Sequence, residues 1–234
     1  MYRLLVLTLL SSSLFAGGWG FHLISTKKAL ESLPEGQFKN ILKKNKRALL
    51  NGSLFPDGGY VFNYGHLAEW THHDGFLNSA LKKLEKGVCQ NFSDEKCQQE
   101  LTFVFGVVAH IVEDYNFDRY FLRGLADAEF NGNLGAAQHF SDLKFDTVVI
   151  KAYGLDKWMP SFYQPKDLVY EIYQEQGYDI EKKDISEMQT YQRVLYSALI
   201  SYSTHSAERI SKLSPWGTSH FKLGKGGVED TAKK

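Results

Sequence analysis

Apolar side chains recur along this chain at the three- and four-residue spacing of buried helical faces, and the pattern predicts helices and little else, an all-α architecture. The most apolar stretch, Leu101 to Ala109, has Thr102 as its one clearly polar side chain. As a helix it would be buried all round and lie at the centre of the fold, although it is too short to cross a bilayer. Before it, Ser25 or Thr26 is expected to cap a helix ending near Pro34. Gln37 to Leu50 sets Phe38, Ile41, Leu42 and Leu49 beside a solvated basic face of Lys43, Lys44, Lys46 and Arg47. Asn51-Gly52 and Pro56-Asp57-Gly58-Gly59 are turn sequences, which puts Asp57 on a loop. Ala80, Leu81 and Leu84 continue a further helix, and Ser93 followed by Asp94 and Glu95 starts the central one. Ala136 to Ile150 forms another, ended by Trp158-Met159-Pro160, with Phe162 and Tyr163 in an aromatic loop. The last long helix runs from about Asp184 to Leu213, with Met188, Tyr191, Leu195, Ala198, Tyr202 and His205 on its inner stripe. The stretch from Pro215, with Gly224, Gly226 and Gly227, reads as a loosely held tail over 215–234.

Length and composition refine this picture. A chain of 234 residues without repeats or low-complexity stretches predicts one domain with a sizeable core. Twenty-seven basic residues balance 27 acidic ones, which argues against a protein that coats nucleic acid by charge. Residues 1–18 read as an export signal. Arg3 supplies the positive region, Leu4 to Leu10 the apolar region, and Ala16-Gly17-Gly18 a small-residue cleavage site, so that the mature chain is expected to begin at Trp19, or with cleavage after Ala16 at Gly17, in a periplasmic or secreted setting. In that setting the two cysteines, Cys89 and Cys97, are expected to pair. The helical domain then spans 19–214.

The candidate chemistry lies at the polar end of the central run. His110, Asp114 and Asp118 recur at i, i+4 and i+8, one helical face with neighbours about 6 Å apart at Cβ. A histidine hydrogen-bonded to one carboxylate in the core is the plain reading of such a pair. Similar groups elsewhere favour a metal. Tyr64 to Leu77 holds His66, His72 and His73 beside Glu69 and Asp74, and His139, Asp142 and Asp146 share a face at i, i+3 and i+7. His22 lies three residues from the expected new N-terminus, where the free amine of Trp19 is itself a nitrogen donor. Carboxylate and imidazole without thiolate suit a multi-metal catalytic zinc cluster better than a structural site.

Trp19-Gly-Phe-His22, Leu54-Phe-Pro-Asp57, Glu69-Trp-Thr-His72 with Phe76-Leu-Asn78, Phe105-Gly-Val-Val-Ala-His110-Ile-Val-Glu-Asp114 and Asp142-Leu-Lys-Phe-Asp146 together resemble the zinc-dependent phospholipase C group. Its relatives include the amino-terminal domain of glycosylphosphatidylinositol-specific phospholipase D and, more distantly, the S1/P1 nucleases. The resemblance runs from Trp19 to Ile150. It implies an all-helical fold with zinc ions at the bottom of a cleft and hydrolysis of phosphodiesters. Trp19 and His22 would hold one zinc, bridged by Asp114 to a second held by Asp57, His72 and His110, with Asp57 orienting or deprotonating the attacking water. A third site would draw on Asp118, His139, Asp142 and Asp146, where this sequence departs from the group's histidines, so two or three zinc ions are expected. Tyr60, Phe62, Tyr64, Glu69 and Trp70 would line the cleft, although core packing is the ordinary role of such aromatics.

These readings converge on an exported zinc phosphodiesterase cleaving a phospholipid head group or another phosphodiester. Transient membrane contact, no stable nucleic-acid complex and a monomeric state go with it. A nuclease or 3′-nucleotidase is the alternative enzyme. A non-catalytic metal-binding protein on the same fold is the alternative outside enzymes.

Overall fold

A computed structural model describes residues 18–61, 64–87, 89, 91–155 and 161–234, without the side chains of Val61, Asp142 and Leu143. Residues 1–17 of the expected export signal over 1–18, Phe62 and the Trp158-Met159-Pro160 stretch lie outside the described residues. Among the described residues the regular structure is helical, with no strand.

The chain runs through α1 (Trp19–Ser32), α2 (Gln37–Lys44), α3 (Lys46–Leu54), a 3-10 turn (Pro56–Val61), α4 (Gly65–Thr71), α5 (Asp74–Lys86) and the central α6 (Glu95–Asn116). A π-helical segment (Phe117–Leu122) leads into α7 (Arg123–Glu129) and α8 (Leu134–Phe140). A second π segment (Ser141–Phe145) joins α8 to α9 (Asp146–Ala152). Then come α10 (Lys166–Glu175), α11 (Lys182–Leu213), α12 (Pro215–His220) and α13 (Val228–Thr231).

The central helix starts where its cap permits. Asp94 accepts the Cys97 backbone N–H at 2.9 Å, satisfying one of the donors left over at a helix start. The Cys89–Cys97 disulfide ties the preceding connection to its first turns. Further on, α6 crosses α3 at Gly52 and Gly106. A Cβ on Gly52 would sit 2.1 Å from the Phe103 carbonyl oxygen, and one on Gly106 2.2 Å from that of Leu49. Asn51-Gly52 is therefore a buried helix crossing and not a turn, because a glycine among buried neighbours serves backbone approach as readily as chain reversal.

Several other expectations give way to packing. Ser25 and Thr26 lie inside α1, which starts six residues before Ser25 and is buried along its first two turns. The Gln37 to Leu50 helix is broken at Asn45 into α2 and α3. On α11 the buried stripe is Met188, Gln192, Tyr196, Leu199, Ser203 and Ile210. Tyr202 and His205 are exposed, because the face that meets the core includes polar Gln192 and Ser203, which hydropathy discounts. Residues 215–234 are packed: Phe221 and Val228 are buried, and Lys28 on α1 pairs with Glu229 at 2.7 Å.

Candidate metal centre

Four elements deliver five side chains to one place. His22 comes from the buried second turn of α1. Asp57 comes from the 3-10 turn that follows α3, His72 from the C-terminal cap of α4, and His110 and Asp114 from successive turns of α6. All five are buried except His72, which is part-buried.

The two carboxylates each face two ways. Asp114 places Oδ1 3.3 Å from His22 Nε2, while its Oδ2 lies 3.1 Å from His110 Nε2 and 3.5 Å from His72 Nε2. Asp57 repeats the arrangement, with Oδ2 3.9 Å from His22 Nε2 and Oδ1 3.6 Å from both His72 and His110. One oxygen of each carboxylate thus addresses His22 and the other addresses the His72/His110 pair, as carboxylates that bridge two cations do.

Backbone carbonyls and one buried acid set the imidazoles. His110 Nδ1 is 2.8 Å from the Ser53 carbonyl, one of the acceptors left unpaired at the end of α3, and His72 Nδ1 is 2.8 Å from that of Ala68. A carbonyl only accepts, so both Nδ1 atoms carry the hydrogen and both Nε2 atoms present lone pairs. Those two Nε2 atoms face one another at 3.0 Å, a contact that repels unless a cation or a proton lies between them. His22 Nδ1 donates to Glu113 Oε2 at 2.8 Å, and Thr26 donates to Glu113 Oε1 at 2.7 Å. The carboxylate–imidazole relay is the one that orients histidine toward metals.

Electrostatics agree with the geometry. Burial opposes a charged His22, yet the charge and hydrogen bond of Asp114, with those of Glu113, raise its pKa well above the usual histidine range. His72 is pushed up to about 9, with burial again overcome by Asp57 and Asp114. Asp114 moves the opposite way: despite burial, His110 and His22 hold it below the ordinary carboxylate range. Groups that raise the proton affinity of imidazole also favour a metal cation in the proton's place. His22 Nε2, Asp57 Oδ2 and Asp114 Oδ1 are buried without a hydrogen-bond partner. Such orphaned atoms would each gain a partner from an ion, so the donor set fits zinc. Two sets, His22/Asp57/His110 and His72/His110/Asp114, each bring ligand atoms within 4.8 Å of one another.

The other candidate residues are spread more widely. Asp118 follows one turn after Asp114, at the start of the π segment, and belongs to neither set, although its Oδ1 is buried and unpartnered. Burial and the Asp114 charge push its pKa up to about 7. Asp146 is buried and spends both oxygens on α1, accepting the Gly20 and Phe21 N–H groups at 3.0 Å each. It thereby holds the helix start of which Trp19, itself buried, is the first residue. His139 is exposed on α8 and outside both sets. The Asp142 side chain lies outside the described residues. Beside the cluster, Tyr60 has its ring centre 5.8 Å from that of His72 and donates to Glu69 Oε2 at 2.7 Å. Tyr64 instead bonds Asp184 at the start of α11, and Trp70 packs on Phe76, Tyr173 and Tyr178 in the core. Glu113 escapes a reading by residue type, being one of many glutamates. Its spacing of i+3 from His110 on an otherwise apolar helix is the signal that would find it.

Comparison with known proteins points the same way. The family described as zinc dependent phospholipase C matches residues 21–202. Phosphatidylinositol-glycan-specific phospholipase D from Bos taurus is 26% identical over 172 residues, covering 68% of this chain. The match takes in 20% of that relative, so the chain spans about a fifth of its length. No solved structure matches significantly.

Proposed function

This chain belongs to the zinc-dependent phospholipase C family of phosphodiester hydrolases, and from that premise we propose that it cleaves a phospholipid between the glycerol oxygen and phosphorus, using the cluster of His22, Asp57, His72, His110 and Asp114. The observation that carries this reading is the two-way orientation of Asp114 and Asp57 between His22 on one side and His72 with His110 on the other. His22, Asp57, His72, His110 and Asp114 would hold the two zinc ions that we assign to this centre. Zinc bound there supplies positive charge to phosphoryl oxygens and brings the pKa of water towards about 7.

The chain's own groups do the remainder. Asp57, whose carboxylate lies between His22 and the His72/His110 pair, is assigned to orient the attacking water or take its proton. Water oxygen bonds to phosphorus, the bond from phosphorus to the glycerol oxygen breaks, and that oxygen leaves as an alcohol after gaining a proton. Glu113 keeps the His22 ring fixed while charge develops, and the Tyr60–Glu69 pair bounds the cleft beside His72. A free amine at Trp19, produced by export cleavage after Gly18, would add a donor next to His22. We read the working protein as an exported monomer that meets membrane surfaces transiently. Among the described residues no helix is long and apolar enough to cross a membrane.

The test is metal removal and return. Chelation should abolish hydrolysis of a short-chain phosphatidylcholine and zinc should restore it, with metal analysis giving about two ions per chain. Faster turnover of single-stranded DNA or a 3′-nucleotide by the same preparation would reassign the substrate.

A further inference from the structure

The cluster leaves one neighbouring surface without a task. Tyr115, Asp118, Arg119, Tyr120 and Arg123 line an open groove of about 630 Å³, within the size range of small-molecule sites. The groove adjoins the cluster, since Asp118, which lines it, stands four residues beyond Asp114 on the same helical run.

The groove's cations are not neutralised by ion pairs among the described residues. Arg119 and Arg123 are exposed, and among the described residues no carboxylate lies within salt-bridge distance of either. The Arg119 guanidinium hydrogen-bonds the Tyr115 hydroxyl and lies 5.4 Å and 5.5 Å from the ring centres of Tyr115 and Tyr120. Lys225, from the loop between α12 and α13, places its ammonium 4.0 Å from the Tyr120 ring centre. Stacking on aromatic faces limits where these side chains go and leaves their charge available. Among the described residues that line the groove, Arg119 and Arg123 thus stand against the carboxylate of Asp118, with Lys225 beside them on Tyr120.

A planar guanidinium matches phosphate oxygens in pairs, and two of them one turn apart on the same helical run suit a single phosphate group. We propose that this groove is a subsite for a second phosphate on the substrate, carried by the head group one to two helical turns, roughly 5–10 Å, from the phosphodiester to be cleaved. The inference rests on the reading that this phosphodiester is held at the cluster. It assigns the enzyme a phosphorylated head group as its preferred substrate class.

Calorimetric binding to the zinc-loaded protein, with inositol 1-phosphate and inositol 1,4-bisphosphate as probes, tests the assignment without turnover. An inactive protein would therefore count against the reaction proposed above and leave this measurement standing. The bisphosphate should bind at least about tenfold tighter than the monophosphate, and R119Q/R123Q should reduce that ratio to near one. Both side chains are exposed, so the double variant is expected to melt with the native protein. Equal affinities in the native protein, or a preference that survives in R119Q/R123Q, would overturn the subsite. So would equal affinities accompanied by Arg119- and Arg123-dependent binding to phosphatidylserine vesicles, which would assign the patch to a membrane surface.

Discussion

Two imidazole nitrogens held face to face at 3.0 Å by carbonyls behind them state the chemistry of this centre at the scale of single residues. The backing groups matter as much as the donors. Glu113→Gln should keep the fold yet weaken zinc binding by about 10- to 100-fold, since it removes the charge that orients His22 and strengthens it as a ligand. Competition against a chromophoric chelator measures this, and unchanged affinity would reduce Glu113 to a packing group. His110→Ala should abolish hydrolysis and release zinc, because it takes the imidazole that lies between both carboxylates. Full activity in that variant would sink the assignment of the centre.

The same contacts give a pH dependence with a definite sign. Without metal, the neighbouring carboxylates overcome burial and push the pKa of His72 up to about 9, and that of His22 is also raised, while histidine in an unfolded chain has a pKa of about 6.5. The folded state therefore binds more protons. The stability these residues contribute is complete below about pH 6.5 and is lost as pH rises through about 9. The melting temperature of metal-free protein should accordingly fall across this window, and zinc affinity should rise across it as protons cease to compete. A flat melting profile between pH 6 and 9.5 would contradict the pairing.

Among the elements, the crossing of α3 and α6 does most to place the site, because His110 takes its hydrogen-bond acceptor from the end of α3 just beyond it. In Gly106→Ala the new Cβ would meet the Leu49 carbonyl oxygen at 2.2 Å and the Ser53 nitrogen at 2.7 Å, both backbone atoms that cannot step aside as a side chain would. Separating the helices should cost about 1–3 kcal/mol in urea unfolding and weaken zinc binding through the displaced Ser53 carbonyl. A stability loss with native zinc affinity would show that the crossing supports the fold and not the site. The π segment after α6 matters for a related reason. It carries Arg119 and leads into Arg123 at the start of α7, so that both line the adjoining groove.

At the scale of the molecule, two large hydrophobic clusters among the described residues hold the helices together. One gathers α1, the π segments, α9, α11 and the C-terminal residues, and the other gathers α3, α4, α5, α6 and α10. Because Phe221 and Val228 lie in the first cluster, deleting residues 215–234 should destabilise the protein by several kcal/mol, at about 1.5–3 kcal/mol for each buried side chain. Denaturant unfolding of the shortened chain checks this, and unchanged stability would return these residues to the status of a loose tail. The Cys89–Cys97 bridge closes a short loop and should contribute less, about 2 kcal/mol, measured by unfolding with and without reductant.

The helical class, the buried central helix and the types of candidate ligand were legible in the amino-acid sequence, because 3.6-residue periodicity and the chemistry of histidine and aspartate are local properties. The sequence also marked His22, Asp57, His72, His110 and Asp114, which stand in motifs with recognisable neighbours. Tertiary structure alone decided which of the remaining acids stay available. Asp146 shares a helical face with His139 in the sequence pattern, yet the start of α1 arrives at its carboxylate and takes both oxygens. Glu113 is one acid among many until α1 brings His22 and Thr26 against it. Asn51-Gly52 has the composition of a turn and becomes a helix crossing only because Gly106 lies opposite. In each case the partner comes from a distant part of the chain, and periodicity along one segment carries no information about which other segment will pack against it.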